Sequence, residues 1–213
     1  MRHFFQPHIV NSGMSKRHTN TTEVSRRSVL AGATLIPLAA VNGIAQAASV
    51  FSLAQMQLLE ALVDRLIPSD ETGPGAVECG VTRYIDQALA GHLAGEKAAF
   101  LAALAAVDAL ARTSHGMSFA ELPTERKDEL LTALESNTAP GFVPNSRAFF
   151  IRVRQLTLEG MFSDPFYGGN RGFRGWDLIR YPGPRLAVSA SEQALRDPIK
   201  PLRASSYGGK RGN

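Results

Sequence analysis

Cysteine and histidine are scarce in this chain of 213 residues. Cys79 is the only cysteine, so no disulfide can form within the chain. Beyond residue 47 the only histidines are His92 and His115, and no cluster of histidine and cysteine accompanies them. The sequence therefore predicts no metal site, and both histidines are expected at the surface.

The elements of an active site or a cofactor site are missing as well. No CxxCH motif is present, which excludes covalent haem attachment to this chain. The glycine pair Gly168-Gly169 follows Asp164-Pro165, whereas a phosphate-binding glycine run follows a strand and opens a helix. No nucleophile, base and orienting group occur in a recognisable pattern. We therefore expect no catalytic residue and no cofactor on this chain.

A strongly apolar run of membrane-spanning length is also missing, although the N-terminal region contains a mildly apolar one. Arg26 and Arg27 precede a stretch from residue 28 to residue 59 that carries no charged side chain. Its apolar part ends at Ala45-Gln46-Ala47, a small-x-small site suited to signal peptidase. Residues 1–47 are thus predicted to be a leader with a twin-arginine export signal.

Alternatives remain at this end of the chain. Cleavage after Ala47 would leave residues 48–213, enough for one domain with its own core. Retention would leave the leader as an uncleaved anchor. Met14, followed by Ser-Lys-Arg, is an alternative start to Met1.

The formal net charge of +4 comes entirely from the leader. Five of the 23 basic residues and one of the 19 acidic residues precede residue 48, which leaves 18 of each sign. A nucleic-acid partner is therefore not predicted. The remaining charge is polarised, with −7 over residues 48–135 and +7 over residues 136–213. The two halves either neutralise each other in the fold or present the basic half to an acidic partner.

Apolar periodicity predicts helices, and no β-branched alternation competes with it. The predicted helices span residues 52–67, 81–93, 96–111, 124–135 and 146–158. Ser52 with Gln55 and Ser118 with Glu121 form capping-box patterns, Ser146 is the expected cap of the last helix, and Gly160 its expected stop. The predicted fold is all-α: an irregular bundle of about five helices, followed by a long aromatic, glycine-rich, non-regular C-terminal segment. The bundle is assigned to residues 48–160.

Residues 161–188, here called the aromatic loop, combine glycine, proline and arginine with large rings. A disordered linker of this glycine content would normally lack such rings. The loop is either folded back over its own domain or a docking loop whose rings and arginines fill pockets on a partner. The remaining residues, 189–213, are called the tail and are expected to be extended. The tail nearly repeats Tyr167-Gly-Gly-Asn-Arg-Gly as Tyr207-Gly-Gly-Lys-Arg-Gly. The near-repeat is either due to chance or marks two equivalent extended contacts on a partner surface.

The chain resembles the gluconate 2-dehydrogenase subunit 3 family over residues 50–184. The resemblance lies in one early helix, one late helix and the loop. The matching residues are Leu58 to Pro68; Phe149, Phe150, Leu156, Thr157 and Gly160; and Asp164-Pro165, Tyr167 to Asn170, Gly175-Trp176 and Tyr181 to Gly183.

This resemblance implies a non-catalytic small subunit of a membrane-associated flavin-dependent dehydrogenase. It implies FAD on a large catalytic subunit and c-type haem on a multi-haem cytochrome subunit. The leader would then carry the catalytic subunit through the twin-arginine translocation machinery to the periplasm, at the outer face of the cytoplasmic membrane. An independent periplasmic helical protein that binds a small ligand is the alternative.

The expected docking residues lie in the aromatic loop. They are Asp164, Pro165, Phe166, Tyr167, Gly168, Gly169, Asn170, Trp176, Tyr181 and Pro182. Cys79 is expected either to be buried and inert or to form an inter-chain disulfide, and the resemblance offers the large subunit as the source of a partner cysteine.

Overall fold

The computed structural model of the chain describes residues 49–185, 187–194 and 199–208. This part of the chain is helical and contains no strand; its one β-bridge, between Asp70 and Gly73, closes a turn. The predicted all-α fold is confirmed. The arginine pair Arg26-Arg27 and the predicted cleavage residues Ala45 and Ala47 lie outside the described residues.

Five helices of ten residues or more form the body of the described chain. They are α1 (Leu53–Leu66), α2 (Val81–Ala90), α3 (Lys97–His115), α4 (Thr124–Glu135) and α5 (Ser146–Phe162). The capping box of Ser52 and Gln55 opens α1 as predicted, with both reciprocal hydrogen bonds present. The box of Ser118 and Glu121 opens a 3₁₀ turn, Phe119–Glu121.

Both predicted ends of the last long helix were wrong. Asn145, not Ser146, caps α5, because the Asn145 side chain accepts from the Ala148 N–H at 2.9 Å. Ser146 is instead buried, and its hydroxyl donates to the Leu134 carbonyl. The helix also continues through Gly160 to Phe162. A Cβ at Gly160 would lie only 3.1 Å from the ring of Tyr84 on α2, so this glycine permits close packing of two helices.

Helix α5 lies at the centre of the body and packs against α2, α4 and α1. The core between these helices consists of fully buried aliphatic side chains. They include Leu59, Leu62, Val63, Ile85, Leu89, Leu134, Val153 and Leu156. Burying side chains of this size is the main favourable term in folding. A rigid body results, and its α5 helix ends where the aromatic loop begins.

Short helical turns follow α5. The aromatic loop contains the 3₁₀ turns Pro165–Tyr167 and Arg171–Phe173 and the five-residue helix α6 (Arg174–Leu178). In the tail, Ser189 caps the short helix α7 (Ala190–Gln193). The loop is therefore a chain of single turns, each too short for apolar periodicity to reveal.

Candidate docking site

A buried polar network centred on Asn170 fixes the aromatic loop to the end of α5. Asn170 is completely buried, and its backbone N–H donates to the Gly160 carbonyl at 2.7 Å. Its side-chain amide donates to the Ser163 carbonyl at 2.9 Å and accepts from the Gly175 N–H at 2.9 Å. Because buried polar groups are costly unless paired, this single residue, through its backbone N–H and its side chain, holds together three parts of the backbone.

The loop glycines let the backbone approach other atoms very closely. A Cβ at Gly169 would overlap the Gly160 carbonyl, and a Cβ at Gly175 would overlap the Met161 carbonyl. Gly168 has φ +97°, in the left-handed region that favours glycine. The pair Gly168-Gly169 thus has a structural explanation that involves no phosphate.

The large rings of the loop divide into a buried set and an exposed set. Phe173 and Trp176 are buried with their ring centroids 5.4 Å apart, and the Trp176 indole N–H donates to the Phe162 carbonyl at 2.8 Å. Phe166 and Tyr167 keep 43% and 38% of their surface exposed. The loop thus packs against its own domain with one set of rings and presents the other set to the outside.

Backbone strain is concentrated in the same loop. Four non-glycine residues of the described chain have positive φ, and three of them, Asn170, Phe173 and Arg180, lie in the loop. The fourth is Asn137, in the turn after α4. A bulky residue such as Phe173 at φ 63° is uncommon, and such strain persists only where surrounding contacts enforce it. Strained residues cluster at functional sites, which makes this loop the candidate site.

The tail returns across the loop and is attached to it at several points. The Leu202 N–H donates to the Pro182 carbonyl at 2.9 Å, and Arg203 forms an ion pair with Asp177 at 2.7 Å. Asp164 accepts from the Phe166 N–H with one carboxylate oxygen and from the Ser206 N–H, at 2.7 Å, with the other.

The Asp164 carboxylate is the group of this attachment that accepts from the loop and the tail together. Burial would raise the pKa of Asp164, but hydrogen bonds from Phe166, Ser205 and Ser206 outweigh it, and the net direction is downward. The carboxylate is therefore ionised at neutral pH, where it can accept from the loop and the tail together.

The two tyrosines of the near-repeat meet on the surface. The Tyr167 hydroxyl lies 2.8 Å from the Tyr207 hydroxyl, and their ring centroids are 5.5 Å apart. This hydrogen bond raises the pKa of Tyr167. Tyr207 is not among the docking residues expected from the sequence; the near-repeat, a chance match or an equivalent contact on a partner, was its only signal. The structure thus joins two segments that lie 40 positions apart.

Cys79 lies beneath the loop and is completely buried. The Arg171 N–H donates to the Cys79 carbonyl at 2.9 Å, and the Arg174 guanidinium donates to the neighbouring Glu78 carbonyl. Burial raises the pKa of the Cys79 thiol, although Arg174 and Arg171 act in the opposite direction. The inter-subunit disulfide stays a prediction, and forming it would require the thiol to become accessible.

The remaining predicted docking residues differ in exposure. Pro165, Gly169, Asn170 and Trp176 are buried; Asp164, Gly168 and Pro182 are half-buried; Phe166, Tyr167 and Tyr181 are exposed. The buried members can support a partner contact only indirectly, by holding the exposed ones in place.

Features of other kinds of site are few among the described residues. No group of histidine, cysteine, aspartate or glutamate there could hold a metal ion. Within the same residues, no helix combines the length and the apolar character needed to cross a bilayer. A cleft of about 380 Å³ between α1, α4 and α5 contains Arg65 and Asp128, which form an ion pair with each other.

Comparison with known proteins agrees with the resemblance noted in the sequence. Comparisons with curated proteins and with solved structures found no match. A family model described as gluconate 2-dehydrogenase subunit 3 matches residues 54–183. The match takes in all five long helices and the aromatic loop as far as Gly183, and leaves the tail outside. The chain belongs to the gluconate 2-dehydrogenase subunit 3 family.

Proposed function

We propose that this chain is a non-catalytic subunit that docks, stabilises and exports the FAD-containing subunit of a dehydrogenase. Membership of the family implies a complex with the dehydrogenase catalytic subunit. The observation that carries the docking role is the division of the loop rings. Buried Phe173 and Trp176 fix the loop, while Phe166, Tyr167 and Tyr181 stay exposed.

Exposed rings on a fixed loop suit protein binding. Aromatic and arginine side chains contribute most of the energy at protein interfaces. A loop that is ordered before binding loses little conformational freedom when it binds. The Asn170 network and the close approach of Gly169 and Gly175 to α5 supply that order.

The export role rests on the leader. Arg26-Arg27, the uncharged run and Ala45-Gln46-Ala47 form a twin-arginine signal pattern. A catalytic subunit that binds this chain in the cytoplasm would cross the membrane folded, with FAD already bound. The complex would then lie in the periplasm, where a multi-haem c-type cytochrome subunit accepts its electrons. We place both cofactors on partner subunits, because the closely packed glycines and the buried rings of the loop are explained by its own packing.

The export proposal is tested by following dehydrogenase activity between compartments. Cells would co-express the catalytic subunit with this chain, either unchanged or with Arg26→Lys and Arg27→Lys together. We expect activity in the periplasm with the unchanged chain and in the cytoplasm with the double variant. Arg17→Lys, a matched change elsewhere in the leader, should leave activity in the periplasm. Periplasmic activity with the double variant would contradict the export role.

The alternative function, an independent ligand-binding protein, gains no support from the cleft between α1, α4 and α5. Arg65 forms two hydrogen bonds to Asp128, at 2.9 and 3.0 Å. The Arg65 guanidinium therefore already has its carboxylate partner. Arg154 also lines the cleft and forms no salt bridge among the described residues, but one exposed arginine does not by itself make a ligand site.

A further inference from the structure

We propose that Tyr207 of the tail completes a ring patch with Phe166 and Tyr167, and that this ring patch binds an acidic surface of the catalytic subunit. The inference rests on the proposed function and deepens it by naming the contact surface and the charge of its partner. It also assigns a role to the tail, which lies outside the family match.

The ring patch is compact and exposed. The Phe166 and Tyr207 centroids are 4.8 Å apart, and Phe166 meets Tyr167 edge-on at 5.4 Å. Tyr207 keeps 59% of its surface exposed, more than either loop ring. Rings that touch each other and still face outward form one continuous apolar surface with hydroxyl groups at its edge, which is suited to a protein partner.

The tail is held in place by the loop, so the position of Tyr207 is fixed. Asp164 accepts from the Ser206 N–H, directly before Tyr207 in the chain. The Arg203–Asp177 ion pair and the Leu202–Pro182 hydrogen bond attach the tail further back. In each of these contacts the tail meets a side chain or a backbone atom of the same loop that carries Phe166 and Tyr167. A prearranged surface of this kind reduces the ordering cost of binding.

The charges of the aromatic loop, which carries two of the three rings, indicate the nature of the partner. Arg171, Arg174 and Arg180 have exposed side chains, and none of them forms a salt bridge among the described residues. The acidic groups of the loop are already engaged, Asp164 by backbone N–H groups and Asp177 by Arg203. The charge of the aromatic loop that has no ionic partner among the described residues is thus positive.

A positive face disfavours association with a second copy of the chain through the same surface, because like charges would meet. It favours an acidic partner, which attracts the three arginines that lack a salt bridge in the described part of the chain while the rings are buried at the centre of the contact. Within the complex that the family implies, we assign this partner to the catalytic subunit.

The test measures binding of the full chain to the flavin-loaded catalytic subunit, with Phe166→Ala, Tyr207→Ala and the double variant. Each single variant should raise Kd about tenfold or more, as expected for loss of a ring in an interface. The two effects should be less than additive, because the rings contact each other. Ile151→Ala is the control; Ile151 is 55% exposed and lies about 16 Å along α5 from its end at Phe162.

Tyr207→Phe distinguishes the contribution of the ring to binding from that of its hydroxyl group. This variant keeps the ring contacts with Phe166 and should bind within about threefold of the unchanged chain. Amide exchange at Leu202 shows whether the tail stays attached in each variant. Loss of affinity in Tyr207→Ala with the Leu202 amide still protected supports a direct contact. If affinity falls only when this protection is lost, the tail positions the loop, and the direct contact is wrong.

Four further outcomes distinguish the claims. If the unchanged chain does not bind the catalytic subunit, the proposed function itself fails. If it binds but Tyr207→Ala and Phe166→Ala bind equally well, the function stands and the ring patch is wrong. Affinity that does not fall with rising salt would contradict the acidic partner surface. A dimer of the isolated chain that Phe166→Ala abolishes would assign the ring patch to a second copy.

Discussion

Asn170 shows how one residue can determine the shape of the candidate site. Its amide pairs with the Ser163 carbonyl and the Gly175 N–H, and it has no exposed surface. The sequence placed Asn170 among the docking residues through the family motif. Its burial gives a structural reason for asparagine at this position of the motif. An amide supplies both the donor and the acceptor that are needed to join these two backbone groups.

Asn170→Ala should therefore destabilise the loop before the helical body. Two buried backbone groups would lose their partners, which we expect to cost about 2–4 kcal/mol. Trp176 is the only tryptophan and reports on the loop, while far-UV circular dichroism reports on the helices. The fluorescence transition in urea should move to lower concentration than the dichroism transition.

Asn137→Ala is the matched control for this prediction. Asn137 also has a left-handed backbone, with φ 62°, but its side chain is exposed. Its substitution should cost less than about 1 kcal/mol. Equal losses for the two variants would show that backbone conformation, and not the buried hydrogen bonds, accounts for the effect.

A second prediction at the residue scale concerns Gly175, where the outcome depends only on the space for a side chain. Its φ is not in the left-handed region, but an added Cβ would overlap the Met161 carbonyl. We expect Gly175→Ala to reduce the free energy of unfolding by about 3 kcal/mol, because the neighbouring group is backbone at the end of a packed helix. Urea denaturation would measure this loss.

Gly95→Ala provides the comparison for Gly175. No atom lies within 4 Å of the Cβ that would be added at Gly95, and its φ is also unexceptional. The substitution should change stability by less than about 0.5 kcal/mol. A Gly175→Ala protein that unfolds at the unchanged urea concentration would refute the close approach of loop and helix.

At the scale of elements, the tail and the loop form a unit through Asp164. Because hydrogen bonds lower the pKa of this carboxyl, its contribution to tail attachment is complete above the ordinary aspartate pKa of 3.8 and is lost as the pH falls through its lowered pKa. The protection factor of the Ser206 amide should thus be constant from pH 5 to pH 8 and fall in strong acid.

Asp164→Asn should lower the Ser206 protection at neutral pH, since a neutral amide oxygen is a weaker acceptor than a carboxylate. Asp128→Asn is the control of the same type, because Asp128 pairs with Arg65 within the helical body and has no hydrogen bond to the described residues of the tail. Unchanged protection in Asp164→Asn would mean that other contacts hold the tail.

The helices were predictable from the sequence, and the reasons are local. The reciprocal bonds of Ser52 and Gln55 involve neighbours in the chain, and the apolar stripes of α1 to α5 repeat at the helical period. The end of α5 was not predictable. Glycine is a typical helix stop, but Gly160 instead leaves room for the ring of Tyr84, which belongs to another helix. Local sequence does not encode that neighbour.

The candidate site was predictable in location but not in structure. Composition indicated the aromatic loop, because large rings among glycines require a packed surface. It could not say which rings are buried, since single turns have no period that separates an inner from an outer face. The meeting of Tyr167 and Tyr207 depends on a chain reversal over 40 residues, which only the fold reveals.

At the scale of the whole molecule, the structure shows which charges of the acidic and the basic half form ion pairs. Among the described residues one ion pair, that of Arg152 with Glu96, joins the acidic half to the basic half. The loop arginines Arg171, Arg174 and Arg180 do not pair in the described part of the chain. Internal neutralisation thus applies to part of the body, and presentation of the basic loop to an acidic partner stays a prediction.

The central claim is that this chain is a subunit that binds a flavin-containing catalytic subunit. Affinity purification of the full chain from cells that co-express the catalytic subunit tests it most directly, with FAD absorbance and dehydrogenase activity measured in the eluate. Our account predicts an equimolar complex that carries FAD and activity. If the chain elutes alone, well folded and without flavin, the account is contradicted.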